Sequence, residues 1–331
     1  MKVLFLIQGV NQPASRYRVN QFLEFLRADG IEFETRDYPR SIPAWIGVLR
    51  MRRKVDVVFF QKKRAPRWPV MRLRAGGARV VYDVDDAVMF ASSRHESPEA
   101  PARMKRFATM CSSSDAVTAG NRYLAEMALK HCPNVSVVPT CMDMRKYAPR
   151  GPAANGSRVV LGWIGGRKSL PFLKELDPAL ALLKGMGVDA TLKVVCNEFP
   201  SDCPVPVEKK TWVEAEEAAD VASFDIGLAP LPDDPWSRGK CATKLLQCMA
   251  ARVPCVAAPV GAHCDIVKEG ENGFLASKPA EWAEKIARLA KDPALRDRLG
   301  EAARETVAKE YSVQAHAPRL AALLKSLARR A

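Results

Sequence analysis

Lys240 and Lys244 stand four residues apart within residues 225–261, DIGLAPLPDDPWSRGKCATKLLQCMAARVPCVAAPVG, with Gln247 close behind them. The stretch reads as strand, loop, helix, strand. Ile226, Leu228 and Leu231 belong to a short apolar run cut off by Pro230 and Pro232, and the turn-rich DDPWSRG follows. Leu245, Leu246, Met249 and Ala250 recur at helical spacing, which predicts a helix starting near Lys240 or Cys241 and stopping before Pro254. On that helix the two lysines share a face, one turn apart. A helix N-terminus carries partial positive charge, so a basic residue there is disfavoured by a few tenths of a kcal/mol up to about 1. A bound phosphate reverses the sign. The bland reading is two solvated surface lysines.

A second anion signal precedes it. In WIGGRKS, Gly165 and Gly166 let a ligand approach the backbone after a strand, and Arg167 and Lys168 add charge. Paired with Lys240 and Lys244 at the end of another strand of the same expected sheet, this outlines a pyrophosphate-sized site. Two loops of the first half also follow strands. GVNQPASRYR, read as a polar loop, has no G-x-G-x-x-G, so a dinucleotide fingerprint is missing. DVDDAVMF places Asp83, Asp85 and Asp86 directly after a strand, where three acids suit a divalent cation, a general base, or plain loop capping.

The elements that must hold these loops alternate between strand and helix. Residues 3–7, 31–38, 55–60 and 79–82 read as strands, with helical or irregular segments between; the order continues through SDAVTAG, NRYLAEMALKHC and NVSVVPT. After GPAANGS (151–157), a turn-rich linker, RVVLGWIGG opens a second series, with a helix over 171–184, the strand TLKVVCN, the 225–261 region, helices over 281–290 and 294–309, and a last helix past Tyr311. Such alternation means parallel βαβ units in doubly wound sheets, with ligands at the carboxyl ends of the strands. A chain of 331 residues suits two domains.

Composition narrows the partners. The net charge is +14, and residues 1–150 carry 26 Lys+Arg against 14 Asp+Glu, or +12, leaving 25 against 23, or +2, for the rest. RMRRK (50–54) and QKKRAPRWPVMRLR (61–74) interleave arginines with Trp68, Val70, Met71 and Leu73, which suits an amphipathic surface on anionic lipid. Nucleic acid is set aside, because the basic segments show no zinc-finger, homeodomain or RNP pattern. Nine cysteines without a C-x-x-C pair suit reduced thiols, and four histidines without ligand spacing argue against zinc. No apolar run approaches the ~20 residues of a membrane span, and VLFLI is too short for a signal peptide's apolar region. The expectation is a cytoplasmic protein, peripheral on the inner face of the cytoplasmic membrane.

Three ordered blocks carry a resemblance. AGNRYLAE with NVSVVPTCMDMRKYAP, then WIGGRKSLPFL, then DIGLAPLPDDPWSRGKCATKLLQCMAARVPCVAAPVGAHCDIVKEGENGFLA, ending in Asn272, Gly273 and Phe274, resemble the nucleotide-sugar-dependent glycosyltransferases of the GT-B fold, family 4 (group 1) type, over nearly the whole chain. The resemblance implies an α/β protein of two Rossmann-like doubly wound domains facing across a cleft. An acceptor-side domain, 1–150, would receive the final helix (312–331) packed back on it, and 151–311 would bind the donor. It implies transfer of a sugar from a nucleotide-diphospho-sugar to a cell-envelope or lipid-linked glycan acceptor, retaining and metal-independent, with the nucleotide sugar as co-substrate and no other cofactor. Lys240, Lys244 and Arg167 would meet charge building on the β-phosphate. Gly165, Gly166, Lys168, Asn197, Leu245 and Gln247 would complete the donor site, and Trp212 would border the nucleobase pocket or simply pack. Asp85 would act as base or orient the acceptor, with Asp83 and Asp86 as rivals, and Ser15, Arg16 and Arg18 would close over diphosphate or acceptor.

Two positions depart from the family pattern. Members often carry two glutamates eight residues apart in the donor block; here Gly239 and Gln247 occupy those places, and Asp233 or Asp234 is left to compensate. The departure supports an alternative, a nucleotide-sugar or glycan-binding protein that has lost catalysis.

Overall fold

The computed structural model describes residues 1–93, 97–152 and 158–328. These residues form two compact units. One contains Met1–Cys141, Asp234–Cys241 and the helix Val313–Ala328; the other contains Met142–Asp233 and Ala242–Ser312. The first unit thus ends its long segment at Cys141, nine residues before position 150, and takes in eight residues from the second half of the chain. Of the expected linker, residues 153–157 lie outside the described residues, as do 329–331 of the basic end.

The first unit holds β1 (Lys2–Ile7), β2 (Glu32–Asp37), β3 (Val57–Gln61), β4 (Arg79–Val84), β5 (Ala116–Ala119) and β6 (Val135–Val137). They pair in the order β2-β1-β3-β4-β5-β6, all parallel. Interior strands of such a sheet are covered on both faces, which is why β1, β3 and β4 read as unbroken apolar runs while the edge strand β2 is largely exposed. Successive side chains point to opposite faces. Leu4, Phe60 and Tyr82 pack with Val70 and Phe107 of the helices Arg67–Ala75 and Pro101–Ser113. Phe5, Phe59 and Val81 pack on the other side with Leu26, Leu320 and Leu324, so the C-terminal helix is part of this unit's core. Lys325 also pairs with Asp29 at 2.7 Å.

The second unit holds β7 (Arg158–Ile164), β8 (Asp189–Val195), β9 (Val207–Lys210), β10 (Ile226–Ala229), β11 (Cys255–Ala257) and β12 (Phe274–Leu275). Its parallel order, β12-β11-β10-β7-β8-β9, is the dinucleotide-fold order, with the winding direction reversing between β7 and β10. A crevice forms at the carboxyl ends of the strands at such a reversal, and the turn at Gly165 and Gly166 lies there with Lys244.

Three readings change. Residues 9–18 are not a polar loop: Pro13–Arg18 is helical, started by Pro13 at its first turn, and Ser15, Tyr17 and Arg18 are buried. The expected helix over 171–184 is two, Leu170–Lys174 and Asp177–Gly185. β9, a polar edge strand, and the two-residue β12 went unexpected because neither carries an apolar run. All nine cysteines are free. Among the described residues no helix is long and apolar enough to cross a membrane.

Candidate functional site

The helix of the donor block begins at Thr243, not near Lys240, and runs to Ala250. Ala242 stops it from starting earlier, because its backbone is left-handed, φ 55° and ψ 28°. A non-glycine residue there costs on the order of 1 kcal/mol or more, so strain is held at the helix entrance. Lys240 and Lys244 therefore do not share a helix face. Lys244 is the second helical residue, in a first turn that has no acid, whereas Lys240 belongs to the short segment Asp234–Cys241 of the first unit.

Lys244 is placed by β7. Its Nζ lies 4.4 Å from the ring centroid of Trp163, a fully buried residue of that strand. The ring face attracts the ammonium. A Cβ at Gly165 would fall 2.7 Å from Lys244 Nζ and 2.6 Å from the Trp163 ring, so only glycine leaves room for the lysine there. His263 is buried nearby. Its Nδ1–H donates to Ala258 O at 2.9 Å, which leaves Nε2 as the unprotonated nitrogen. Burial, with the Lys244 charge adding to it, lowers the His263 pKa to about 4. The carboxyl ends of β7, β10 and β11 thus bring together a helix N-terminus, an ammonium, a glycine and a neutral imidazole, a setting suited to an anion.

The other expected donor residues are spread around this cluster. Gly166 faces open space, Arg167 pairs with Glu198 at 2.9 Å, and Lys168 lies in the same short turn. Asn197 is exposed two residues past the end of β8. Trp212 donates its indole N–H to Glu217 at 3.0 Å and is half-buried, which commits its polar edge to packing. Leu245 is 1% and Gln247 4% exposed, so Leu245 packs into the core and Gln247 lies buried with it.

In the first unit the acids at the end of β4 are already engaged, Asp83 lying within the strand. Asp83 is fully buried and accepts from Arg18 Nη2 and Nε, at 2.5 and 3.1 Å, and from the Thr118 hydroxyl at 2.7 Å. Burial alone would lower the Arg18 pKa; the Asp83 charge raises it overall, so the guanidinium stays charged. Asp86 lies between Lys62 at 3.1 Å and Lys240 at 3.0 Å. Burial pushes its carboxyl up, but the two lysines pull it below its ordinary value. Lys240 also lies over the Trp236 ring, 3.5 Å from the centroid. Asp85 pairs with Lys62 through its buried Oδ1 at 3.3 Å, and its backbone oxygen accepts from Cys241 Sγ at 3.3 Å. Ser15 donates to Gln61 Oε1 at 3.0 Å, and Gln8 N donates to the same oxygen at 2.8 Å. Arg16 lies over the Tyr17 ring.

Sequence reasoning missed Gln61, Lys62, Trp163 and His263. Only the first two left a signal, as polar residues ending the apolar run VVFF. The family departures now have physical reasons. A Cβ at Gly239 would lie 2.8 Å from Ala87 N and 3.0 Å from Ala87 Cα, so no side chain fits there without moving backbone. Asp234 is spent as a helix cap, accepting from Trp236 N and Ser237 N at 2.8 Å each. Among the described residues no group of three or more His, Cys, Asp or Glu is arranged to hold a metal ion.

Comparison with known proteins agrees with this geometry. Residues 237–306 match the family model for glycosyl transferases group 1. No curated protein matches the chain in sequence. Among solved structures, sucrose-phosphate synthase of Thermosynechococcus elongatus superposes with a TM-score of 0.75 at 16% identity, covering 100% of this chain and 99% of that one. HepE of Anabaena, in complex with UDP and glucose, gives 0.68 at 15%, covering 98% of this chain and 100% of that one. A glycosyltransferase from Rickettsia africae gives 0.69 at 12%, covering 100% and 99%. Two parallel doubly wound sheets and these shared folds give the chain the GT-B type of fold, and its donor block, residues 237–306, is similar to the glycosyl transferases group 1.

Proposed function

We propose that the protein moves a sugar from a nucleotide-diphospho-sugar to a cell-envelope or lipid-linked glycan acceptor at the cytoplasmic face of the membrane, with retention and without a metal ion. The observation that carries this is Lys244, held over Trp163 and against Gly165 at the start of a helix in the family-matched block. UDP, the ligand in the Anabaena HepE structure, is the first nucleotide to test. The bond between sugar C1 and the β-phosphate oxygen breaks, and the acceptor oxygen bonds to C1. Negative charge left on the diphosphate is met by Lys244 and the helix N-terminus. The acceptor proton goes to a carboxylate. Asp85 fits that role better than its neighbours, because it meets one lysine, whereas Asp83 is locked to Arg18 and Asp86 lies between two lysines.

A panel of UDP-, GDP- and ADP-sugars tests the proposal by thermal protection and by donor hydrolysis or transfer. At least one donor should protect and turn over, and Lys244→Ala should lower the rate by about 10²-fold. No protection by any donor, with Lys244→Ala behaving as wild type, would sink the reading. The filled space at Gly239 favours a second reading, a sugar-nucleotide-binding protein without catalysis. Donor binding without turnover, with acceptor supplied, would select it.

A further inference from the structure

The most uneven charge in the sequence lies in the first unit. Residues 38–82 contain twelve Lys and Arg against one acid, Asp56. Two helices present this segment, Ile42–Leu49 and Arg67–Ala75. They are joined by an edge-to-face contact of Trp45 and Trp68, with ring centroids 6.2 Å apart. Trp45 is buried, yet four apolar side chains on the same pair of helices stand in solvent: Ile42 at 69%, Ile46 at 46%, Trp68 at 41% and Met71 at 44%. A soluble face rarely gathers that many.

Beside them lies a cavity of about 490 Å³ lined by Ile46, Leu49, Arg50, Arg52, Arg53 and Arg72, with Gly76 at its edge. Gly76 matters to its shape, because a Cβ there would fall 2.5 Å from Arg52 Cγ. Arg52 donates to Leu49 O at 3.0 Å, and Arg72 lies over the Trp68 ring at 5.6 Å. Arg50, Arg53 and Arg72 pair with no carboxylate among the described residues, whereas Arg74 and Arg79 nearby share Asp115. Guanidinium groups left unmatched around a cavity, beside exposed isoleucine, methionine and tryptophan, complement a surface that is anionic at its rim and apolar beneath.

We propose that this face docks on an anionic lipid surface, with Arg50, Arg53 and Arg72 taking lipid phosphates at the cavity and Ile42, Ile46, Trp68 and Met71 entering the acyl boundary. The proposal deepens the membrane part of the function above and rests on it. Chemistry at the donor helix does not enter it. Neither does a membrane-spanning helix, since attachment by this face is peripheral and driven by charge and apolar area together.

Sedimentation of the full chain with vesicles of 30% phosphatidylglycerol in phosphatidylcholine, against phosphatidylcholine alone, tests it. Binding should favour the anionic vesicles and fade as salt rises toward 0.5 M. The double variant Arg50→Gln/Arg53→Gln should bind roughly 30-fold more weakly, at about fivefold per arginine. Ile42→Ser/Ile46→Ser should bind about tenfold more weakly. Leu182→Ser, which alters an exposed apolar residue of the second unit, should bind as wild type. UDP protection measured on the same variants should stay unchanged, so failure of docking and failure of donor binding are separate results. Equal binding to neutral vesicles would overturn the proposal, and so would wild-type binding by either double variant. Saturation by soluble glycerol 1-phosphate with no vesicle binding would overturn it in favour of a free phosphate ligand.

Discussion

The two units solve the same problem, a cluster of charge at the carboxyl ends of parallel strands, in opposite ways. In the first, cations meet carboxylates: Arg18 with Asp83, Lys62 with Asp85 and Asp86, Lys240 with Asp86. In the second, the ammonium of Lys244 is set over an indole face and against a glycine, at a helix N-terminus without an acid in its first turn. The first arrangement is internally balanced and holds its loops in place. The second sets an ammonium against an aromatic face and beside a residue without a side chain. Of two lysines that look equivalent in sequence, Lys240 lies between a carboxylate and an indole, and Lys244 lies beside a glycine and an indole at a helix start.

The comparison is broken most directly in the first unit. Arg18→Ala leaves Asp83 buried without its cation, which should cost about 3–5 kcal/mol of stability. Urea unfolding checks it, and a loss below about 1 kcal/mol would mean the pair is not structural. The second unit should answer to acid. A histidine held neutral at a pKa of about 4, against an ordinary 6.5, takes up its proton more readily when unfolded. Its stabilising effect is therefore whole above pH 6.5 and lost as pH falls from about 6.5 to 4, by about 3 kcal/mol in all. His263→Gln should flatten that part of the stability profile. An unchanged slope would show that the imidazole is not the group responsible. The smallest effect should come from Gly165→Ala, where the added methyl must displace Lys244 or tilt Trp163. Overpacking of this kind costs about 1–3 kcal/mol. Thermal unfolding checks it: the second unit should lose roughly 2–4 °C per kcal/mol, while the first unit stays put.

Much of this was open to a reader of the chain alone. β1, β3, β4, β7 and β10 announce themselves as buried apolar runs, and their alternation with helices requires parallel doubly wound sheets. The pairing of a Gly-Gly turn with a lysine-bearing helix start also identified Gly165 and Lys244 together. What misled was continuity: helical spacing from Leu245 to Ala250 was extended backward through Cys241, and nothing local signals that Ala242 turns left-handed.

The limits of sequence here have one physical cause, which is separation along the chain. Periodicity and turn chemistry are local, so they showed most strands, most helices, the basic excess of the first half and the acids at Asp83, Asp85 and Asp86. Arg18 meets Asp83 across 65 positions, Lys240 meets Asp86 across 154, and no local pattern records either contact. Only tertiary packing decides which charged groups meet, because desolvation and pairing depend on the distances that folding brings about. That is why a lone glycine at 239 looked like a missing acid in the sequence and proves, in the fold, to be the residue that lets Ala87 approach.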